Sequence, residues 1–178
     1  HIKKFAIGQF EVTFEEYDRF AIATDRSLPR DEGWGRGSRP VINVSWEDAR
    51  NYTTWLSQET GIRYRLPSET EWEYAARNGG NNQLWAGTSD EKQLADYAWF
   101  NTNSTGRTQP VGAKKANGLG IQDMSGNVWE WVEDCWHEDY GDAPIDGAAW
   151  LDATGENCGV HVRRGGAWTD SPESLHSS

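Results

Sequence analysis

Two cysteines and four histidines are the side chains in this sequence that could hold a soft metal, and their spacing fits no known arrangement for doing so. Cys135 and Cys158 are too few for a disulfide scaffold and match no zinc motif. They pair if the compartment is oxidising or stay as two buried thiols if it is reducing. His1, His137, His161 and His176 are scattered, without the spacing of a facial triad. No nucleophile elbow, phosphate loop or His–Glu metalloprotease motif is present. A different chemistry runs through Ala167-Trp168-Thr169-Asp170-Ser171-Pro172-Glu173-Ser174-Leu175-His176-Ser177-Ser178. Small hydroxyl, acidic and imidazole side chains around an aromatic give adaptable hydrogen bonding at low entropy cost, which suits a recognition surface. The same composition also suits a plain polar loop.

The 178 residues are enough for one domain with a substantial core. Aliphatic residues are scarce and Trp is abundant, at eleven copies. An indole buries a large area and still offers one N–H donor, so a few rings can anchor many loops. Nineteen Gly and six Pro point to a chain rich in turns. The net charge of −11 argues against nucleic acid, where Lys and Arg supply affinity by neutralising phosphates, and against anionic membrane surfaces. No apolar run approaches membrane-spanning length, and no signal or transit pattern is visible.

Three helices are marked by their caps. Thr13-Phe14-Glu15-Glu16 is a capping box and predicts a helix to about Thr24, with Phe14, Tyr17, Phe20 and Ala21 on one face. Ser45-Trp46-Glu47-Asp48 opens a second, turning Trp46, Ala49, Tyr52 and Leu56 inward and stopping at Gly61. Ser68-Glu69-Thr70-Glu71 opens a third, carrying Trp72, Ala75 and Ala76 and ended by Gly79-Gly80. From residue 81 onward the pattern predicts no amphipathic helix, and Val128-Trp129-Glu130-Trp131-Val132 is the clearest strand. Trp46, Trp72, Trp129 and Trp131 read as core anchors, and Glu73 with Arg77 as a helix-end ion pair. Helices first and short strands later give an irregular, loop-rich α+β class. Residues 1–178 read as a single domain, cut short at both ends, with no repeat or linker.

Four stretches carry a family resemblance. They are Phe10-Glu11-Val12-Thr13, Arg39-Pro40-Val41-Ile42-Asn43-Val44-Ser45-Trp46-Glu47-Asp48-Ala49, and Tyr64-Arg65-Leu66-Pro67-Ser68-Glu69-Thr70-Glu71-Trp72-Glu73-Tyr74-Ala75-Ala76-Arg77. The fourth is Asn117-Gly118-Leu119-Gly120 leading into Ser125-Gly126-Asn127-Val128-Trp129-Glu130-Trp131, with Arg164-Gly165-Gly166-Ala167-Trp168 further on. In order and spacing they resemble the formylglycine-generating-enzyme, or sulfatase-modifying-factor, superfamily across nearly the whole chain. That resemblance implies a variant of the C-type-lectin fold.

The resemblance also implies what to expect of the site. Formylglycine-generating enzymes oxidise a sulfatase cysteine using two cysteines that hold copper(I), an ion suited to soft thiolates. The matching positions here are Asp170 and Leu175, so the expectation is no copper and no enzyme activity. The sulfoxide synthases on the same scaffold need an iron site from another, His-rich domain. Asp123, Gly126, Val128 and Glu130 match the family's calcium-binding stretch, two carboxylates with two main-chain carbonyls for a hard cation of structural role. The family's second calcium site has no clear counterpart in the region 101–112, which looks shortened. One subgroup, the variable proteins of diversity-generating retroelements, displays a hypermutated segment for ligand binding after an Arg-Gly-Gly turn. Thr169, Asp170, Ser171, Ser174, His176 and Ser178 all have codons reachable from an asparagine codon by adenine changes. The stretches 134–137 and 142–147 resemble bacterial members of the non-oxidase branch, often fused to kinase or other signalling domains.

The expected function is therefore a non-catalytic module that binds a protein ligand through Ala167, Trp168, Thr169, Asp170, Ser171, Glu173, Ser174, His176 and Ser178. The reading from another class is an oxygen- and metal-dependent enzyme of the same superfamily, and a third is a structural module attached to a signalling enzyme. The expected setting is the bacterial cytoplasm or cell surface, and nothing in the sequence sets an oligomeric state.

Overall fold

Reciprocal caps start the first three helices. At α1 (Phe14–Ala23) the Thr13 N–H donates to Glu16 Oε2 at 2.8 Å, and the Glu16 N–H donates back to Thr13 Oγ1 at 3.3 Å. The same box joins Ser45 to Asp48 at α2 (Trp46–Thr60) and Ser68 to Glu71 at α3 (Glu69–Ala76). Gly61 closes α2 in the left-handed region. Helix α3 stops at Ala76 with Arg77 as its cap, before the Gly79-Gly80 pair, and Arg77 forms the expected ion pair with Glu73. The computed structural model describes residues 2–152 and 158–178.

Past residue 80 the structure corrects the sequence pattern twice. A fourth helix, α4 (Glu91–Tyr97), is capped by Asp90, whose side chain accepts the Lys92 N–H at 3.0 Å. It buries only Leu94, and a single buried position leaves no amphipathic stripe to read. The strand also begins later than the apolar run. β1 (Glu130–Cys135) pairs antiparallel with β2 (His161–Arg164), matching Glu130 to Arg164, Trp131 to Arg163 and Cys135 to His161 across one irregularity. Val128 cannot join the ladder because its N–H donates to Glu11 Oε1 at 3.1 Å, and Asn127 before it turns the chain at φ 56°.

The inner face of β1 packs on α3. Val132 shares a buried cluster with Trp72, Ala75, Ala76, Ala86 and Met124. A second cluster joins Trp85, Leu94, Ala98, Phe100 and Leu175, and a third joins Tyr17, Phe20 and Ala21 of α1 to Tyr52 of α2. Indole N–H groups bolt distant loops to these clusters. Trp46 donates to the Val132 carbonyl at 2.8 Å, Trp131 to Val44 at 3.2 Å and Trp85 to Pro172 at 2.7 Å. Trp129 is not a core anchor. It lies on the outer side of the chain entering β1 and is 37% exposed.

Cys135 and Cys158, left open by the sequence, form a disulfide with Cα atoms 5.3 Å apart across 23 residues. A loop of that length makes the link worth ~3 kcal/mol in chain entropy. Among the described residues no helix is long and apolar enough to cross a membrane.

Candidate functional site

Residues 167–178 run across the surface with their backbone fastened to the interior. The Trp168 N–H donates to the Asn127 carbonyl at 2.9 Å, and the Ser104 hydroxyl donates to the Trp168 carbonyl at 2.9 Å. Asn101 N–H reaches the Asp170 carbonyl at 3.1 Å, Ser125 Oγ reaches the Leu175 carbonyl at 3.0 Å, and Ser177 N–H reaches the Leu84 carbonyl at 2.8 Å. A short 3₁₀ turn, Pro172–Leu175, lies between these fastenings. Only glycine fits at 166, because a Cβ there would sit 2.8 Å from the Ser174 carbonyl oxygen and the residue adopts φ 75°.

The side chains of this segment divide into two sets. Thr169, Glu173, Ser174 and Ser178 are exposed. Ala167, Trp168, Asp170, Ser171 and His176 are half-buried, and each of the latter four has a partner within the protein. Trp168 meets Trp34 edge-on at 5.2 Å between centroids, and His176 lies 5.3 Å from the Trp85 ring. Asp170 Oδ2 accepts the Ala167 N–H at 2.9 Å, closing the turn after the glycine pair. The Ser171 hydroxyl donates to Glu173 Oε2 and, with the Glu173 backbone N–H, holds that carboxyl below its usual range. Leu175 and Ser177 are fully buried. Leu175 belongs to the cluster around Trp85 and Phe100, so both positions matched to copper-holding cysteines serve the packing of the segment.

The stretch 123–130 crosses beneath this segment. Asp123 is buried, with Oδ2 accepting the Gly112 N–H at 2.6 Å and Oδ1 without any hydrogen-bond partner. Burial raises its carboxyl, opposed by that N–H and by the Lys114 ammonium. Burial likewise pushes Glu130 up to about 7; the nearby Trp72 indole N–H tempers this without the alignment of a full hydrogen bond, and Asp123 adds to it. Gly126 is held at φ 85° beside Trp99, where a Cβ would come within 2.1 Å of the Trp99 carbonyl oxygen. Neither the Gly126 nor the Val128 carbonyl accepts a hydrogen bond among the described residues. No three His, Cys, Asp or Glu side chains among them form a metal-holding group, so a cation at this stretch would depend on those main-chain oxygens.

Two further residues hold this region and had no assigned role in the sequence reading. Glu11 is buried, accepting Asn127 Nδ2 at 2.7 Å and the Val128 N–H at 3.1 Å. Burial, then Asp123 and Glu130, raise its carboxyl well above the ordinary range against those two donors. Asn127 is fully buried and joins four parts of the chain through Glu11, Trp99, Gln109 and Trp168. A carboxylate embedded in the apolar stretch 10–12 was the available signal for Glu11.

An irregular α+β chain whose glycine-pair turn feeds a surface segment over a buried acidic stretch defines a C-type-lectin-like domain of the sulfatase-modifying-factor type. The chain belongs to that family: residues 1–178 match the model of the sulfatase-modifying factor enzyme 1-like domain. It is 35% identical over 151 residues to the formylglycine-generating enzyme of Thermomonospora curvata, covering 75% of this chain and 46% of that protein. The chain thus spans less than half the length of such curated relatives. PvdO from Pseudomonas aeruginosa superimposes with a TM-score of 0.83 at 34% identity, over 95% of this chain and 70% of PvdO. Treponema denticola variable protein 1 superimposes with a TM-score of 0.75 at 27% identity, over 94% and 74% of the two chains.

Proposed function

We propose that this chain is a non-catalytic module that binds a protein ligand through side chains of residues 167–178, as the resemblance to retroelement variable proteins implies. The observation that carries the reading is the division of labour within the segment. Its backbone is fastened at Trp168, Asp170, Leu175 and Ser177, while Thr169, Glu173, Ser174 and Ser178 face solvent. A backbone fixed independently of its outward side chains lets those side chains change without loss of fold, which is what a display surface needs. The likeness to a Treponema variable protein supports it.

The competing reading, an oxygen- and metal-dependent enzyme, draws support from the identity to formylglycine-generating enzymes. Against it stand a buried leucine and a turn-closing aspartate where two thiolates would have to meet copper(I). Incubation with copper(I), oxygen and a sulfatase-type cysteine peptide, read by mass spectrometry, separates the two. The module leaves the peptide cysteine intact; conversion to formylglycine would establish the enzyme instead.

Calcium fits this reading as a structural ion. Asp123 Oδ1, a buried carboxylate oxygen without a partner, supplies an unsatisfied charge for a cation. Asp123 and Glu130 with the Gly126 and Val128 carbonyls would hold it, and the ion would neutralise the carboxylates under the display segment.

A further inference from the structure

A second surface, built on the β1–β2 sheet and the chain leaving β1, gathers the exposed aromatic side chains Trp129, Trp136 and Tyr140. Across the β1–β2 sheet, Trp131 pairs with Arg163 and Cys135 with His161, so alternation turns Trp129, Trp131, Arg163 and His161 to the outer face. The chain leaving β1 adds Trp136, His137 and Tyr140, and Trp150 returns to stack on His137 at 3.7 Å. These groups line an open cleft of about 630 Å³, and the Cys135–Cys158 disulfide fixes its wall. Trp136 is 60% exposed and Tyr140 69%. Large aromatic rings held in water beside a cleft mark a binding surface, since nothing in folding requires them there.

The charge of this cleft opposes that of the chain. Its lining holds two guanidinium groups, Arg163 and Arg164, against one carboxylate, Glu69, in a protein of net charge −11. Arg164 also has Glu73 at 3.9 Å behind it, which leaves Arg163 as the uncompensated charge. Glu69 is already engaged, with Arg164 at 3.7 Å and the Tyr140 hydroxyl donating to it at 3.1 Å. Arg163 is exposed, lies 5.7 Å over the Trp129 ring and 5.4 Å over the Trp131 ring, and has no carboxylate partner among the described residues. In a chain with 28 acidic residues, a guanidinium resting on two indoles without an acid is positioned for an anion from elsewhere. Trp, Tyr and Arg are also the residues that dominate protein–protein binding energy.

We propose that this outer face of the β1–β2 sheet is a second recognition site, which takes an acidic peptide segment with aromatic side chains. A peptide carboxylate pairs with Arg163, and the neighbouring side chains of the peptide lie among Trp129, Trp136 and Tyr140. The cleft is lined by no residue of 167–178, and touches that segment through the Arg164 guanidinium, which donates to the Ser177 carbonyl at 3.1 Å, so one module can hold two partners.

The test uses three labelled peptides, acetylated and amidated, of sequence Glu-Trp-Glu-Trp-Glu, Gln-Trp-Gln-Trp-Gln and Lys-Trp-Lys-Trp-Lys, with fluorescence anisotropy against the oxidised chain. The acidic peptide is expected to bind at least about tenfold more tightly than the neutral one, as one charge-assisted contact gives, and the basic one not at all. Arg163→Gln should remove that preference, and Trp136→Ser should weaken the acidic peptide about fivefold or more, with melting temperatures unchanged since both side chains are exposed. Thr169→Ala with Ser174→Ala should leave the affinity as it was, which keeps this result independent of the display surface. Equal binding of the acidic and neutral peptides, no saturable binding of the acidic one, or an unaltered preference in a folded Arg163→Gln protein would overturn the proposal.

Discussion

Replacing Asn127 by alanine should cost more stability than any truncation of an exposed side chain, and the structure sets the amount. The Asn127 side chain donates to Glu11 Oε2 at 2.7 Å and to the Gln109 carbonyl at 3.1 Å, and accepts the Gln109 N–H at 2.8 Å. All three bonds are lost in Asn127→Ala, while Glu11 keeps only the Val128 N–H. Each buried group left without a partner costs ~1–3 kcal/mol. Alanine at φ 56° adds roughly 1 kcal/mol that asparagine largely avoids. The expected loss is about 4 kcal/mol, a large share of the stability of an ordinary domain. Urea unfolding at constant m-value measures it. Asn127→Asp sharpens the test, because it keeps an acceptor for Gln109 but sets a second carboxyl against Glu11. A carboxyl raised in the folded state lowers stability as pH climbs from its unfolded value through its folded one. The Asp variant should therefore be weakest near pH 8 and recover toward about pH 5. A loss below roughly 1 kcal/mol in Asn127→Ala, or an Asp deficit indifferent to pH, would refute the role given to this residue.

Three other outcomes follow from the same geometry. Glu130, raised to about 7, and Glu11, raised as well, make the metal-free chain lose stability as pH rises from the ordinary carboxylate range through neutrality. Calcium should flatten that slope and raise the melting temperature, a chelator should reverse the gain, and Glu130→Ala should be insensitive to both; a calcium-independent melting curve would exclude the ion. Trp168→Ala should cost ~2 kcal/mol in urea unfolding, less than a fully buried indole, because the ring is half-buried against Trp34. Reducing the Cys135–Cys158 bond should cost ~3 kcal/mol, read as a lower urea midpoint in reductant.

The parts of the fold visible in the sequence are those set by neighbours along the chain. Thr13 with Glu16, Ser45 with Asp48 and Ser68 with Glu71 each lie three residues apart, so the helix starts could be read directly. Helix α4 escaped because one buried leucine makes no stripe, and β1 was set two residues early because Glu11, far back in the chain, withholds Val128 from the ladder. Trp129 was mistaken for an anchor for the same reason, since the face a strand residue takes depends on the register. At the candidate site, the glycine-pair turn and the polar run after it were legible as types. That Thr169 and Ser174 face water depends on a backbone held by bonds from Asn101 and Ser104, which no local pattern contains.

The most direct test of the display surface is to randomise Thr169, Glu173 and Ser174 together and measure what fraction of the library stays folded, scored by protease resistance on a cell surface. Exposed positions usually shift stability by within about 0.5 kcal/mol each, so most members should resist proteolysis as the parent does, whereas randomising Asp170 and Leu175 should leave few that do. A library at Thr169, Glu173 and Ser174 that is mostly degraded would show these side chains to be part of the fold's support, and the display surface would be contradicted.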